Sequence, residues 1–207
     1  MRKFLITAAM LFSTSTFAVA DMTPIAEMPA GEYKNDPHHT SLTWKVSHMG
    51  LSNYTARFTK IDATITLDPK DLSKSKLVAT VEPGSVKTDY QDESKKDFDK
   101  ELASREWLNA IKFSEAKFES TKIKKTGKNT GKIYGNLTFL GVTKPLTFDV
   151  IFNGAYERHP MTNLPELGFS ATATLKRSEW GFNHMVPHIG DDVKLHIEAE
   201  FIMAKKP

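Results

Sequence analysis

From Thr40 onward apolar residues recur at every second position, the period of a half-buried β-strand. Leu42, Trp44, Val46 and His48 share one face, with Thr43, Lys45 and Ser47 on the other. Tyr54, Ala56 and Phe58 share a parity; Ile61, Ala63, Ile65 and Leu67 take the opposite one. Such a switch predicts a bulge or corner near Thr59 and Lys60. Leu77, Ala79 and Val81 alternate before Pro83-Gly84, and Ala116 and Phe118 open another strand with a parity change before Ile123. Four further alternating runs cover 133–139, 146–152, 169–175 and 193–203. Polar turns separate them, notably Lys125-Thr126-Gly127-Lys128-Asn129 and Asn153-Gly154. About eight strands result.

One segment breaks the alternation. Residues 89–110 are charged and carry Phe98, Leu102 and Trp107 near helical spacing, which predicts one or two short helices ending near Ser104. Residues 21–35, with Pro24, Pro29 and Gly31, show no period and read as part of a loose arm over 21–39. A single all-β domain over 40–207 with a helical insertion follows. Long antiparallel strands leave open edges that invite aggregation, and closure into an eight-stranded antiparallel barrel removes them. At that size side chains either fill the interior or leave room for one small ligand. The inward-facing positions mix large rings (Trp44, Phe58, Phe139, Phe148, Phe169) with small residues (Ala56, Gly135, Ala171, Ala173). Small residues can leave a tunnel or receive a neighbouring ring, so periodicity alone does not separate a hollow barrel from a packed one.

The N-terminus alters the compartment. Arg2 and Lys3 precede a mostly apolar stretch over 4–12, and Ala18-Val19-Ala20 supplies the small residues a signal peptidase reads. The apolar stretch is shorter than the ~20 residues of a spanning helix. A secretory leader over 1–20, cleaved after Ala20, predicts an exported, periplasmic protein. Removing Arg2 and Lys3 from the 28 basic residues leaves 26 against 25 acids, so nothing calls for a nucleic-acid partner. The chain has no cysteine, which excludes disulfides, thiol catalysis and iron–sulfur clusters.

Other chemistry is poorly supported. His184 and His188 have helical ligand spacing, but Gly181, Pro187 and Gly190 disfavour a helix, and His-Glu-x-x-His is missing. No Gly-x-Ser-x-Gly occurs. The run Lys122-Ile123-Lys124-Lys125 reads as a solvated strand end, or as a contact for anionic lipid head groups.

Four motifs in order resemble the YceI-like family of bacterial periplasmic proteins. They are Asp36-Pro37-His38-His39-Thr40-Ser41-Leu42-Thr43-Trp44-Lys45-Val46-Ser47-His48-Met49-Gly50; Ser85-Val86-Lys87-Thr88-Asp89 with Leu102-Ala103-Ser104-Arg105-Glu106-Trp107-Leu108-Asn109; the run from Gly135 to Gly141-Val142-Thr143-Lys144-Pro145; and Gly168-Phe169 through Arg177-Ser178-Glu179-Trp180-Gly181, followed by Ile189-Gly190-Asp191-Asp192-Val193. Ile111-Lys112-Phe113 departs from the family pattern of an aromatic followed by proline. The resemblance implies a lipocalin-like barrel that holds a long polyisoprenoid (quinone or prenyl phosphate type) or a similar amphiphilic lipid, with no covalent cofactor and no enzymatic activity. It leaves transient membrane contact and homodimerisation open.

For such a binder, Trp44, Val46, Phe58, Leu137, Phe139, Phe148, Val150, Phe169, Ala171 and Phe201 are expected to form the lipid-binding wall. Phe98 and Leu102 would form a lid at one mouth. His48 and Arg177 are the head-group candidates; His48 could instead close its strand, and Arg177 could instead pin a corner with Glu179 or Asp191. Competing readings are a filled barrel acting as a stress-linked interaction module, and an enzyme acting on an isoprenoid substrate.

Overall fold

The computed structural model describes residues 22–92, 94 and 96–204. The expected leader therefore lies outside the described residues. The strands are β1 (Gly31–His48), β2 (Ser52–Phe58), β3 (Ile61–Leu67), β4 (Lys76–Val81), β5 (Val86–Lys87), β6 (Ala116–Lys125), β7 (Thr130–Phe139), β8 (Val142–Tyr156), β9 (Glu166–Lys176) and β10 (Ile189–Met203), with one α-helix, α1 (Phe98–Ala103), between β5 and β6. All pairings are antiparallel, and β10 pairs with β1 as well as β9. Eight strands thus close a ring: β1, β3, β4, β6, β7, β8, β9 and β10. Strands of 15 residues such as β8 and β10 reach about 50 Å when extended. No helix among the described residues is long and apolar enough to cross a membrane.

The short strands β2 and β5 branch from this ring because β1 changes partner. Its first residues pair with β3 as far as Lys34↔Thr64; from Leu42 onward it pairs with β2. At the fork the Asn35 side chain replaces the ladder: its Oδ1 accepts from the Ala63 N–H at 2.7 Å and its Nδ2 donates to the Ile61 carbonyl at 3.3 Å. Against β10 the register jumps from Asn35↔Phe201 to Thr40↔Ala199. The residues between bulge outward, held by Asp36, which accepts from the His38 N–H and contacts His39 Nδ1, each at 2.8 Å. Pro37 has no N–H to give a ladder, so the bulge is where it fits.

The arm is shorter than its composition suggests, since β1 begins at Gly31. The prolines hid the strand, while its apolar content is the single deeply buried Tyr33. The Tyr33 hydroxyl donates to the Pro29 carbonyl at 2.8 Å, and burial pushes its pKa up to about 12. The remaining arm folds back, with Met28 buried among Tyr33, Leu67, Leu167 and Phe201. This cluster seals one end of the barrel. The parity switch at Thr59-Lys60 is a corner between β2 and β3, and the one before Ile123 is a register shift between Ser120 and Lys122.

Gly135 shows why one inward position is empty of side chain. A Cβ there would lie 2.3 Å from Phe118 Cζ and 2.5 Å from the Glu119 carbonyl oxygen. The small residue receives the Phe118 ring, which stacks edge-on to Phe148 with centroids 5.1 Å apart. The Glu119 contact is backbone and cannot swing aside. Gly135→Ala is therefore expected to cost ~1–3 kcal/mol, the usual range for overpacking, read as a lowered urea midpoint with an unchanged slope.

Candidate functional site: an apolar barrel interior

The inward positions of β10 show what the barrel encloses. Val193, Leu195 and Ile197 alternate with exposed Lys194, His196 and Glu198, yet all three stay partly accessible. Ile133, Leu137, Val150 and Ala171 behave alike. Side chains that face inward and still meet free space mark a void, since a close-packed core leaves few gaps larger than a water molecule. The void is a cavity of about 350 Å³. That falls within the ~300–1,000 Å³ range of small-molecule sites. Its walls are aliphatic and aromatic side chains from every ring strand, with no Asp, Glu or His among the described lining residues.

The expected wall residues Trp44, Val46, Phe58, Leu137, Phe139, Phe148, Val150, Phe169, Ala171 and Phe201 all line this cavity. Leu102 lines it too, from the insertion. Phe98 does not. It is half-buried against the Val86, Leu102 and Leu108 cluster, edge-on to Tyr54 at 5.9 Å and tilted against Tyr90 at 5.6 Å. Phe98 and Leu102 are four residues apart in sequence, but α1 is only six residues long and presents only Leu102 to the lining.

The insertion bridges the branch strands and the barrel. Asp97 caps α1 by accepting from the Lys100 N–H at 2.9 Å. Asp99 accepts from the Thr88 N–H and hydroxyl at 2.8 and 2.7 Å and pairs with Lys87 at 3.0 Å. Burial pushes the Asp99 pKa up, but these hydrogen bonds outweigh it and hold the carboxyl below its ordinary range. Past α1 the chain doubles back, the Leu108 N–H donating to the Leu102 carbonyl at 3.0 Å. Leu102 and Leu108 are buried with Val86, and Trp44, Phe58, Phe139 and Phe182 pack against them. Trp107, Leu108 and Phe182 thereby join the lining. Sequence reading missed them as wall residues because they belong to no alternating run. In the divergent Ile111-Lys112-Phe113 stretch, Ile111 is 99% exposed, while Phe113 lies over Gly141, where a Cβ would stand 2.8 Å from the ring. Gly141 has φ +77° in the two-residue β7–β8 turn, so a residue without Cβ suits it twice over.

The head-group candidates sit differently. His48 ends β1, opposite Ser52 and Ile189, and is not among the cavity-lining residues. Arg177 is 2% exposed and flanks the cavity, but its donors are engaged with backbone. Nε donates to the Gly190 carbonyl at 2.8 Å, Nη1 to Phe182 at 3.1 Å and Nη2 to Ile189 at 2.8 Å. The guanidinium also lies 4.8 Å from the Phe182 ring centroid. Burial lowers its pKa, and neighbouring Asp191 opposes that. Asp191 itself accepts from the Ser178 N–H and hydroxyl, both at 2.8 Å. This is the corner-pinning geometry, joining the end of β9 to the start of β10. His184 stacks edge-on to Trp107 at 4.5 Å, and the described residues contain no group of three His, Asp or Glu placed to hold a metal.

The polar part of the lining lies elsewhere. Lys124, Lys125, Lys128, Asn129, Thr130 and Lys132 of the β6–β7 hairpin border the cavity.

The chain is similar to known proteins along most of its length. A UPF0312 protein of Pseudomonas fluorescens (strain SBW25) is 34% identical over 181 residues, spanning 86% of this chain and 90% of the relative. The crystal structure of the Campylobacter jejuni YCEI protein superposes with a TM-score of 0.64 at 28% identity, over 78% of this chain and 91% of the other. A structure described as a polyisoprenoid binding domain from Saccharophagus degradans, implicated in plant cell wall breakdown, shares the fold at a TM-score of 0.61 and 9% identity, over 85% of this chain and all of that domain. The model of the YceI-like domain matches residues 33–201, from the buried Tyr33 that anchors β1 to the Phe201 that closes the barrel end. With the ring of strands, the cavity and the sequence match in agreement, the chain belongs to the YceI-like family.

Proposed function

We propose that this protein holds the tail of a long-chain isoprenoid, or a similar amphiphilic lipid, inside its barrel and carries or stores it in the periplasm. The observation that carries this reading is the row of inward-facing apolar side chains that remain accessible around the cavity. A hydrocarbon tail is stabilised there by about 0.8 kcal/mol for each methylene removed from water, so a five-carbon unit contributes several. Ordering the tail opposes part of that gain. The polyisoprenoid binding domain from Saccharophagus degradans, which shares this fold, supports the polyisoprenoid class.

The lining also bears on the head group and on catalysis. Its charged members are Arg177 and lysines, which suits a quinone or a prenyl phosphate better than a cationic lipid. The described lining residues include no carboxylate or imidazole, which leaves the rim lysines as its candidates for proton transfer and supports a carrier over a catalyst. The hollow interior likewise favours a carrier over a filled interaction module. Export rests on the leader motif ending at Ala20. Native mass spectrometry of the mature protein purified from its own host tests the reading. A lipid-sized adduct that organic extraction removes is expected. Uniformly ligand-free protein from lipid-replete cells would sink it.

A further inference from the structure

We propose that the β6–β7 hairpin docks the protein on anionic phospholipid bilayers and turns an open flank of the cavity toward the membrane. That the flank admits a lipid rests on the carrier reading; the docking itself does not.

The ladder between β4 and β6 runs only from Val81↔Ala116 to Val78↔Glu119, after which the Leu77 N–H donates to Ser120 Oγ at 2.8 Å. Beyond that point β6 pairs with β7 alone, and the hairpin projects past the end of β4. The strand ladder of the wall ends here, the short 3-10 turn Leu72–Lys74 packs beside β6 with Leu72 in the lining, and the lining reaches the exposed residues Lys124, Lys125 and Lys128.

Charge is concentrated on this projection. Residues 120–135 include Lys122, Lys124, Lys125, Lys128 and Lys132 and no acid, although the whole chain is nearly balanced at 28 basic and 25 acidic residues. Lys132 pairs with Asp149, and Lys122 lies 6.0 Å from the Tyr134 ring centroid. Lys124, Lys125 and Lys128 form no ion pair with any described residue. Ile151, cross-strand from Thr130 and 52% exposed, adds an apolar side chain beside them. Unpaired ammonium groups around an apolar side chain match an anionic bilayer, where phosphates meet the lysines and the hydrocarbon boundary meets the isoleucine. Lysines also blunt free strand edges against aggregation. That role alone gives no dependence on lipid charge, which is what the experiment reads.

The mature protein, stripped of lipid, is floated with vesicles of phosphatidylcholine alone or mixed with phosphatidylglycerol. Binding is expected only to the anionic vesicles, falling steeply as salt shortens the screening length below ~8 Å. The triple variant Lys124→Gln, Lys125→Gln, Lys128→Gln is expected to bind about a hundredfold more weakly, and the corresponding triple arginine variant close to normally. Equal binding to both vesicle types, or no loss in the glutamine variant, overturns the proposal. Loss of binding in the arginine variant also overturns it, because charge is then not what is read. Stripped protein that floats but never co-purifies with lipid leaves docking standing and removes the carrier reading.

Discussion

Ala171→Trp is expected to abolish lipid retention while leaving the barrel folded. Ala171 faces the cavity between Val150 of β8 and Ile197 of β10. An indole placed there enters empty space rather than a packed neighbour, so the melting midpoint should move by only a few degrees. The volume it takes is volume a tail would occupy. Displacing one five-carbon unit forfeits roughly 4 kcal/mol of burial, so retention should fall by at least about a hundredfold. Lipid content per mole of purified protein, measured by extraction and mass analysis, reads the effect. Undiminished lipid in a folded Ala171→Trp protein would place the ligand elsewhere.

Arg177→Met is expected to give the largest loss of stability of any single substitution considered. Three backbone carbonyls, on Gly190, Phe182 and Ile189, lose their donors at once, and Asp191 loses the positive charge beside it. Methionine fills part of the space but donates nothing. Each buried acceptor left unsatisfied costs ~1–3 kcal/mol, and removing a buried charged partner typically costs roughly 3–5 kcal/mol in all. For a chain of this length that corresponds to about 10 °C in melting midpoint. Arg177→Lys should recover little, because one ammonium cannot span three carbonyls as the guanidinium fork does. A melt within about 2 °C of the native protein would show that the corner is held by something else.

The strand pattern was legible because alternation is a direct imprint of a wall with one dry face. Leu42, Trp44 and Val46 on β1, and the long run on β10, point inward as their parity requires. The corner at Thr59 and Lys60 and the register shift before Ile123 were legible for the same reason. The start of β1 was not. Between Gly31 and Asn35 its only deeply buried side chain is Tyr33, and one residue makes no period. Gly135 could be read as spare volume or as a seat for a ring. Only the position of Phe118, on the neighbouring strand, decides for the ring.

The site divides along the same line. Wall residues on strands follow from parity, whereas Trp107, Leu108 and Phe182 enter the lining through loops whose course no period records. Phe98 shared an apolar pattern with Leu102 but packs against Tyr54 and Tyr90 and stays out of the lining. Arg177 has the chemistry of a phosphate ligand, and its three backbone acceptors are visible only once β9 and β10 are side by side. The lysines at 122–125 read as an ordinary strand end. Their place beside the cavity depends on β4 stopping short of β6, a long-range pairing fact.

A crystal structure of the protein purified from its own host without delipidation decides whether the barrel holds a lipid chain. Continuous, chain-like density is expected within the barrel, bordered by Trp107 and Leu108 near one end and passing Ala171 and Val150. A barrel whose walls have closed on one another, with side chains occupying the present cavity and no chain between them, would contradict it.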